Sequence, residues 1–378
     1  MMTETKTAHA DVHSGLHSEQ GPVRGDRPHR AKNPVIKVED LAWLEFEKPD
    51  LDAAERFAHD FGFSTAARTA DALYLRGAMA GTQCVVIRQG PKSRFVGPAF
   101  KAADAADVRR LAQANDRSVY ELRAPGGGVA VDLLDPSGVS LRVVADVEQL
   151  PELSRQQPLT LNFGGEVKRP NATQRPPREP ARIERLGHVV LESTRFNQAL
   201  DWYQQHLGLI VSDFLYFPGQ RERGATMAFI RCDRGATPAD HHTLAMTLGP
   251  GRNYIHSAYQ VSDLDTLAAG GEYLKQHRYK HSWGIGRHIQ GSQIFDYWRD
   301  PDGFLVEHFA DGDMFDNTVE PGWAQMGASG LSQWGPAITR DFLEVNPSMV
   351  KHLLSALADR DNEFTAQRLL GLAKVARS

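Results

Sequence analysis

Cysteine is nearly absent: only Cys84 and Cys232 occur, far apart in the chain. That excludes a disulfide framework and makes a reducing cytosol the expected compartment. No run approaches the roughly 18 consecutive apolar residues of a membrane helix. The first residues, MMTETKTAHADVHSGLHSEQ, lack the apolar core of a secretory signal. Neither sign of charge dominates, since 43 Lys and Arg against 47 Asp and Glu leave a net charge of −4. Nothing electrostatic therefore points to a nucleic acid or a membrane surface as partner. What remains is 41% apolar and 24% charged residues over 378 positions, a globular composition long enough for two domains.

Residues 1–34 carry His9, His13, His17 and His29 but no apolar period, and are expected to be a disordered tail. From Val35 a pattern begins: a strand in VIKVEDLAWLEFEK, a helix in DLDAAERFAHDFGF, then strands in ALYLRG, TQCVVIRQ, YELRAPGGG and VAVDLLDPSGVSLRVVAD, with a helix in AADAADVRRLAQAN between them. A Pro- and Arg-rich stretch, residues 149–181, reads as a linker. The same order then returns: IERLGHVVLES as strand, FNQALDWYQQHLGL as helix, MAFIRCD, HHTLAMTLG and NYIHSAYQVS as strands, DLDTLAAGGEYLKQH as helix, and SQIFDYWRDPDGFLVEHFAD as a hairpin. The copies align by residue. Leu41-Ala42-Trp43 matches Leu186-Gly187-His188, Ala99-Phe100 matches Ala258-Tyr259, and Asp135-Pro136-Ser137-Gly138 matches Asp300-Pro301-Asp302-Gly303. A repeat this long implies two related α+β domains, 35–148 and 182–312. Residues 313–378 form an extension whose VKHLLSALADR and EFTAQRLLGLAKVAR have helical apolar spacing, more readily a cap on the body than a dimer contact.

In the second copy, His188, His256 and Glu307 each sit inside an apolar run: GHVVL, YIHSAY and FLVEHF. One histidine in such a run is ordinarily a satisfied core residue, but a buried unpaired carboxylate is expensive. A shared metal explains all three together. Two imidazoles and a carboxylate are the facial triad of non-haem Fe(II) oxygenases, although the same set also suits catalytic zinc. The first copy is an internal control: it has Trp43, Gly97 and Arg142 at the equivalent places, so the fold does not demand ligand types there.

Paired modules of this kind resemble the vicinal oxygen chelate superfamily, and residues 36–345 are similar to its type I extradiol catechol dioxygenases. The resemblance rests on GHVV, H-S-A-Y and DPDG-x3-E, and implies His188, His256 and Glu307 as metal ligands. It further implies His242, 14 positions before His256, as an acid/base residue. His288 and Tyr297, in the pattern H-x8-Y-x9-E, match substrate-contacting residues. The implied fold is two tandem βαβββ-paired domains, the first without metal, plus a C-terminal helical extension. The implied activity is extradiol cleavage of a small aromatic diol by O2 at Fe(II), with Mn(II) compatible with the same ligands, in a cytoplasmic homo-oligomer. Phe214, Tyr216, Phe217, Trp283 and Ile285 are candidate pocket walls, and the segment around Trp323 and Trp334 a candidate lid. A 4-hydroxyphenylpyruvate-type dioxygenase is the competing enzyme; the trio His242, His288 and Tyr297 suits a catechol instead. A non-catalytic binding member of the superfamily has no need of the triad.

Overall fold

The computed structural model describes residues 25–251, 254–327, 329–343, 347–359 and 361–375. His9, His13 and His17 of the expected tail lie outside the described residues. Residues 25–34 belong to that expected tail as well, yet they pack on the second module. There Arg30 donates to the Asn317 carbonyl at 2.6 Å, and Val211 N–H donates to the His29 carbonyl at 2.8 Å.

The first module runs β1 (Asp40–Lys48), α1 (Leu51–Phe61), β2 (Ser64–Arg68), β3 (Ala72–Arg76), β4 (Val85–Gln89), β5 (Arg94–Lys101), α2 (Ala105–Ala114), β6 (Tyr120–Glu121), β7 (Val129–Leu134) and β8 (Ser140–Ala145). The second runs β9 (Arg185–Ser193), α3 (Phe196–Leu207), β10 (Ile210–Tyr216), β11 (Met227–Arg231), β12 (Ala239–Asp240), β13 (Leu244–Leu248), β14 (Tyr254–Gln260), α4 (Leu264–Gln276), β15 (Lys280–His288), β16 (Ile294–Arg299) and β17 (Leu305–Ala310). After it come β18 (Met314–Phe315), β19 (Gly322–Gln325), β20 (Ser332–Trp334), α5 (Pro347–Ala358) and α6 (Ala366–Val375).

The sheet orders are β2-β3-β4-β1-β5-β8-β7-β6 and β19-β10-β11-β13-β9-β14-β17-β16-β15-β20. With β1 matched to β9, the two orders coincide, and β19 and β20 extend the second at its edges. The register agrees too. Trp43 and Arg142 both face Ala99, as His188 and Glu307 both face Ala258. Strands β2, β5, β10 and β15 fall outside the strands expected from sequence. β10 is buried at every position, so IVSDFLY shows no alternation. β15, KHSWGIGRH, carries two glycines that weaken its β-propensity. The expected strand YELRAPGGG shrinks to Tyr120–Glu121, because Gly126, Gly127 and Gly128 all take positive φ.

Local chemistry explains the helix ends. Asp50, Asp104 and Asp263 cap α1, α2 and α4 by accepting backbone N–H groups at 2.8, 2.9 and 2.7 Å. α1 stops at Gly62, whose φ is +109°. Helix α3 has no cap of its own; Glu363, just before α6, accepts from the N–H groups of Asn197 at 2.7 Å and Gln198 at 3.1 Å. The α1 stripe Leu51, Ala54, Phe57, Ala58 and Phe61 enters a core shared by both modules. Phe61 stacks on His308 at 3.8 Å, and His308 Nε2–H donates to the Phe61 carbonyl at 2.8 Å, clamping β17 to α1. The DPDG turn is closed by Asp300, which accepts from Asp302 and Phe304 N–H, and is pinned to the first module by Lys48.

A cavity of about 380 Å³ lies at the seam between modules, lined by Asp40, Glu39, Lys101, Arg185, Asp240 and Glu184 among others. Burial pushes the Asp40 carboxyl up to about 6, with Arg185 opposing the rise and Asp240 adding to it. A folded-state value above the unfolded one of about 3.9 means the fold prefers the protonated acid. The penalty for ionising it is absent below about pH 4 and complete above pH 6. Asp40→Asn is therefore expected to stabilise the protein at pH 8 by about 1 kcal/mol, after discounting for screening at a side chain that borders a cavity, and to leave it unchanged at pH 4. Denaturant midpoints at the two pH values read this; equal shifts at both would refute it.

Candidate metal centre

Strand register brings the three expected donors together. His188 of β9, Ala258 of β14 and Glu307 of β17 lie in one row, and His256, two residues before Ala258, faces the same way. One donor atom from each of His188, His256 and Glu307 lies within 4.8 Å of the other two. Glu307 Oε2 is 3.5 Å from His188 Nε2 and 3.3 Å from His256 Nε2. The residues are only 1%, 7% and 0% exposed, so solvent cannot satisfy them.

The residues fit a cation. Both Glu307 oxygens are buried without a hydrogen-bond partner, and the Nε2 atoms of His188 and His256 face them. Burial would raise the Glu307 carboxyl, yet the two imidazoles beside it hold it well below the usual carboxylate range. A buried carboxylate kept ionised, with two imidazoles converging on it, is a ready divalent-metal donor set. The first module shows the alternative solution. Arg142, in the place of Glu307, donates to Glu45 at 2.9 Å and to Asp132 at 2.7 Å, so the cation there is part of the chain.

Three more polar side chains border the cluster. Tyr297 lies directly across from Glu307 on β16 and is 1% exposed. The Leu331 carbonyl can only accept, so His288 Nδ1 carries a proton and donates to it at 2.8 Å. The neutral ring then accepts the Tyr297 hydroxyl at Nε2, 2.8 Å away, and burial pushes His288 down to about 4. The His242 ring centroid is 4.0 Å from that of His188, and burial followed by the neighbouring His188 pushes it well below the ordinary histidine value. His242, His288 and Tyr297 thus surround the three donors.

The apolar walls differ from those expected. Trp283 lies on the metal face with Phe295, Tyr297 and Leu305, and Phe217 lies with Val190 and Phe229 beside it. Phe214 and Tyr216 instead belong to the shared core, as does Trp323, which stacks on Phe214 at 4.4 Å; Ile285 packs against that core too. A register shift between Val211 and Asp213 reverses the parity of β10 and explains this. Trp323 is therefore no lid, whereas Trp334, 46% exposed, lies within the segment that covers the site. What covers the metal face is the segment from Leu331 to Phe342. Its Pro336 carbonyl accepts from Trp283 Nε1 at 2.9 Å, and Phe342 meets Tyr297 and Trp283 with ring centroids 4.9 and 4.8 Å away. Asp341 anchors it to Arg299 at 2.9 Å and Ser282 at 2.7 Å. Sequence reading also passed over Asp213 and His241; no local pattern marks either.

Residues 185–308 match the family model described as Glyoxalase/Bleomycin resistance protein/Dioxygenase superfamily. The match covers the second module, and the α+β architecture of the whole chain is shared with two-domain solved structures. Metapyrocatechase 2 from Cupriavidus necator is 29% identical over 88% of this chain and 98% of its own length. Two solved structures share the fold. Homoprotocatechuate 2,3-dioxygenase from Brevibacterium fuscum, in complex with 3,4-dihydroxyphenylacetate, has a TM-score of 0.68 at 16% identity over 83% of this chain and 94% of its own. An Mn(II)-bound glyoxalase from Novosphingobium aromaticivorans has a TM-score of 0.67 at 23% identity over 81% and 94%.

Proposed function

We propose that the protein is an extradiol dioxygenase of type I, in which His188, His256 and Glu307 hold Fe(II) and a catechol-type diol is cleaved beside its hydroxyls by O2. The observation that carries the reading is the convergence of the three buried donors with His242, His288 and Tyr297 around them. The near full-length likeness to a metapyrocatechase supports it. Mn(II) accepts the same donors.

Fe(II) held by this triad supplies Lewis acidity towards two adjacent oxygens and electron transfer towards O2. The chain's own residues do the rest. Two neutral imidazoles and one carboxylate leave the site one positive charge with a divalent ion, which favours a diol that has lost a proton. His242, uncharged in its buried position, would take up a proton from the substrate and later return it. Tyr297 gives its one hydroxyl proton to His288 Nε2 in this structure, and turned away from His288 it would donate instead to an oxygen that gains negative charge. Trp283, Phe295, Leu305 and Phe229 give the ring an apolar wall, and the segment 331–342 keeps water away. Both oxygen atoms enter the product, a ring-opened semialdehyde acid.

No helix among the described residues is long and apolar enough to cross a membrane. Both cysteines are free and buried, which supports a reducing cytosol as the setting. Leu354, Leu357 and Leu370, 65%, 40% and 65% exposed on the C-terminal helices, are apolar surface that favours a homo-oligomer.

The test is anaerobic purification, loading with Fe(II), and a panel of catechols followed by O2 uptake and the yellow ring-fission product. Stoichiometric O2 use with one panel member supports the reading. No uptake with any catechol, despite one iron per chain, would overturn it and direct attention to 2-oxo acids.

A further inference from the structure

A chain of three buried side chains ends on His242, and the reading above uses only its last member. His241 Nε2 is 2.7 Å from Asp213 Oδ2, and His241 Nδ1 is 3.0 Å from His242 Nδ1. His241 and His242 are 1% and 3% exposed, and Asp213 is 9% exposed. The direction of these bonds follows from donor and acceptor chemistry. An ionised carboxylate oxygen only accepts, so His241 Nε2 carries a proton. A neutral imidazole has one N–H, so His241 Nδ1 is then a bare acceptor. For a neutral His241 the contact between the two Nδ1 atoms puts the proton on His242 Nδ1 and leaves His242 Nε2 with its lone pair; a His241 imidazolium would reverse that bond. The opposite arrangement would set two bare acceptors against each other in a buried place at the His241–Asp213 contact.

His241 has little room to adopt another orientation. Its N–H donates to the Asp313 carbonyl at 2.9 Å, its carbonyl accepts from Ser212 Oγ at 2.6 Å, and Arg231 donates to the same Ser212 Oγ at 2.8 Å. The rings of Phe229 and Phe315 lie 5.5 and 5.3 Å from its imidazole. Gly291 closes the remaining side: a Cβ there would sit 3.1 Å from His241 Nδ1.

We propose that Asp213 and His241 are positioning residues that hold His242 in its Nδ1–H tautomer, so that Nε2 is the atom that takes the substrate proton. The proposal rests on the ring-cleavage reading for the step His242 performs. Once Nε2 has the proton, His242 is an imidazolium whose Nδ1–H still points along the chain towards the Asp213 carboxylate, so the new positive charge is offset through His241. No atom needs to move between the resting and protonated forms, which is what preorganisation requires. Partners one shell out from the chemistry are typically worth about 10- to 100-fold.

The test uses the full chain labelled with 15N at histidine only and loaded with Zn(II), which is diamagnetic. Long-range 1H–15N correlation spectra read the tautomer of each imidazole, and the His242 signals are assigned by their loss in His242→Gln. The expected result is a protonated Nδ1 and a bare Nε2 at His242 in the wild type. His241→Phe keeps the ring volume among Phe229 and Phe315 but removes the acceptor; the Nδ1–H preference should be lost. In the Fe(II) enzyme the same variant should lower kcat by about 10- to 100-fold, with KM for the diol and iron content within about twofold. A wild-type His242 in the Nε2–H tautomer overturns the proposal, and so does a His241→Phe enzyme with unchanged kcat. Should that variant not fold, the wild-type spectrum alone decides. Absence of ring cleavage in the wild type would instead sink the functional reading and leave the tautomer measurement standing.

Discussion

Glu307→Ala is expected to release the metal and lower ring cleavage by at least about 10³-fold, roughly 4 kcal/mol at 1.36 kcal/mol per decade. The reason is that, among the described residues, no hydrogen bond satisfies this carboxylate and only the two imidazoles converge on it. Glu307 is 0% exposed, and neither of its oxygens has a hydrogen-bond partner. Removing it leaves two neutral imidazoles, a weaker and uncharged donor pair. A stability signature should accompany the loss. A metal that binds only the folded chain adds about 2.7 kcal/mol at a hundred times its Kd. That is on the order of 5–10 °C in Tm for a domain of this size. Divalent metal should therefore raise the Tm of the wild type and leave that of the variant unmoved. Iron per chain, O2 uptake and a melting curve with and without metal make the measurement. A variant that retains one iron and its activity would show that the ligand assignment is wrong.

His242→Gln should separate chemistry from binding. Glutamine keeps polar atoms near the same place but cannot cycle a proton. General acid–base groups contribute typically about 10²- to 10⁴-fold, so kcat is expected to fall by about that range. Iron content should not change, since His242 lies outside the three donors that converge within 4.8 Å. KM for the diol should stay within about twofold, because the diol oxygens are held by the metal rather than by this ring. Steady-state rates at saturating O2 with matched iron loading provide the reading. An unchanged kcat would remove His242 from the mechanism and return the proton to water or to the substrate's second hydroxyl.

The degree to which this site was legible differs residue by residue. His188, His256 and Glu307 stand out because ionisable types interrupt apolar strands, and because the first repeat supplies Trp43, Gly97 and Arg142 for contrast. The register explains why the contrast is informative: equivalent rows of the two sheets hold the candidate donor Glu307 in one module and the Arg142–Glu45 pair in the other. The walls of the site were less readable. Phe214 and Tyr216 look like neighbours of Phe217, but the bulge after Val211 sends the first two into the shared core. Alternation predicts a face only while the register is unbroken. The C-terminal extension was legible as amphipathic helices and no further. That Glu363 supplies the missing cap of α3, more than 160 residues earlier in the chain, has no local trace.

By itself, the sequence determined the repeat, the types of the candidate donors and the turns that bound the strands. Each of those depends on neighbours within a few residues, where periodicity and turn chemistry act. Tertiary structure alone decided the convergence of three donors from three strands and their removal from solvent. It alone placed residues 331–342 over the metal face and aligned Asp213, His241 and His242 in one buried hydrogen-bonded chain. Desolvation and hydrogen-bond direction are properties of a closed environment, and that environment is assembled from segments with no influence on one another until the chain has folded.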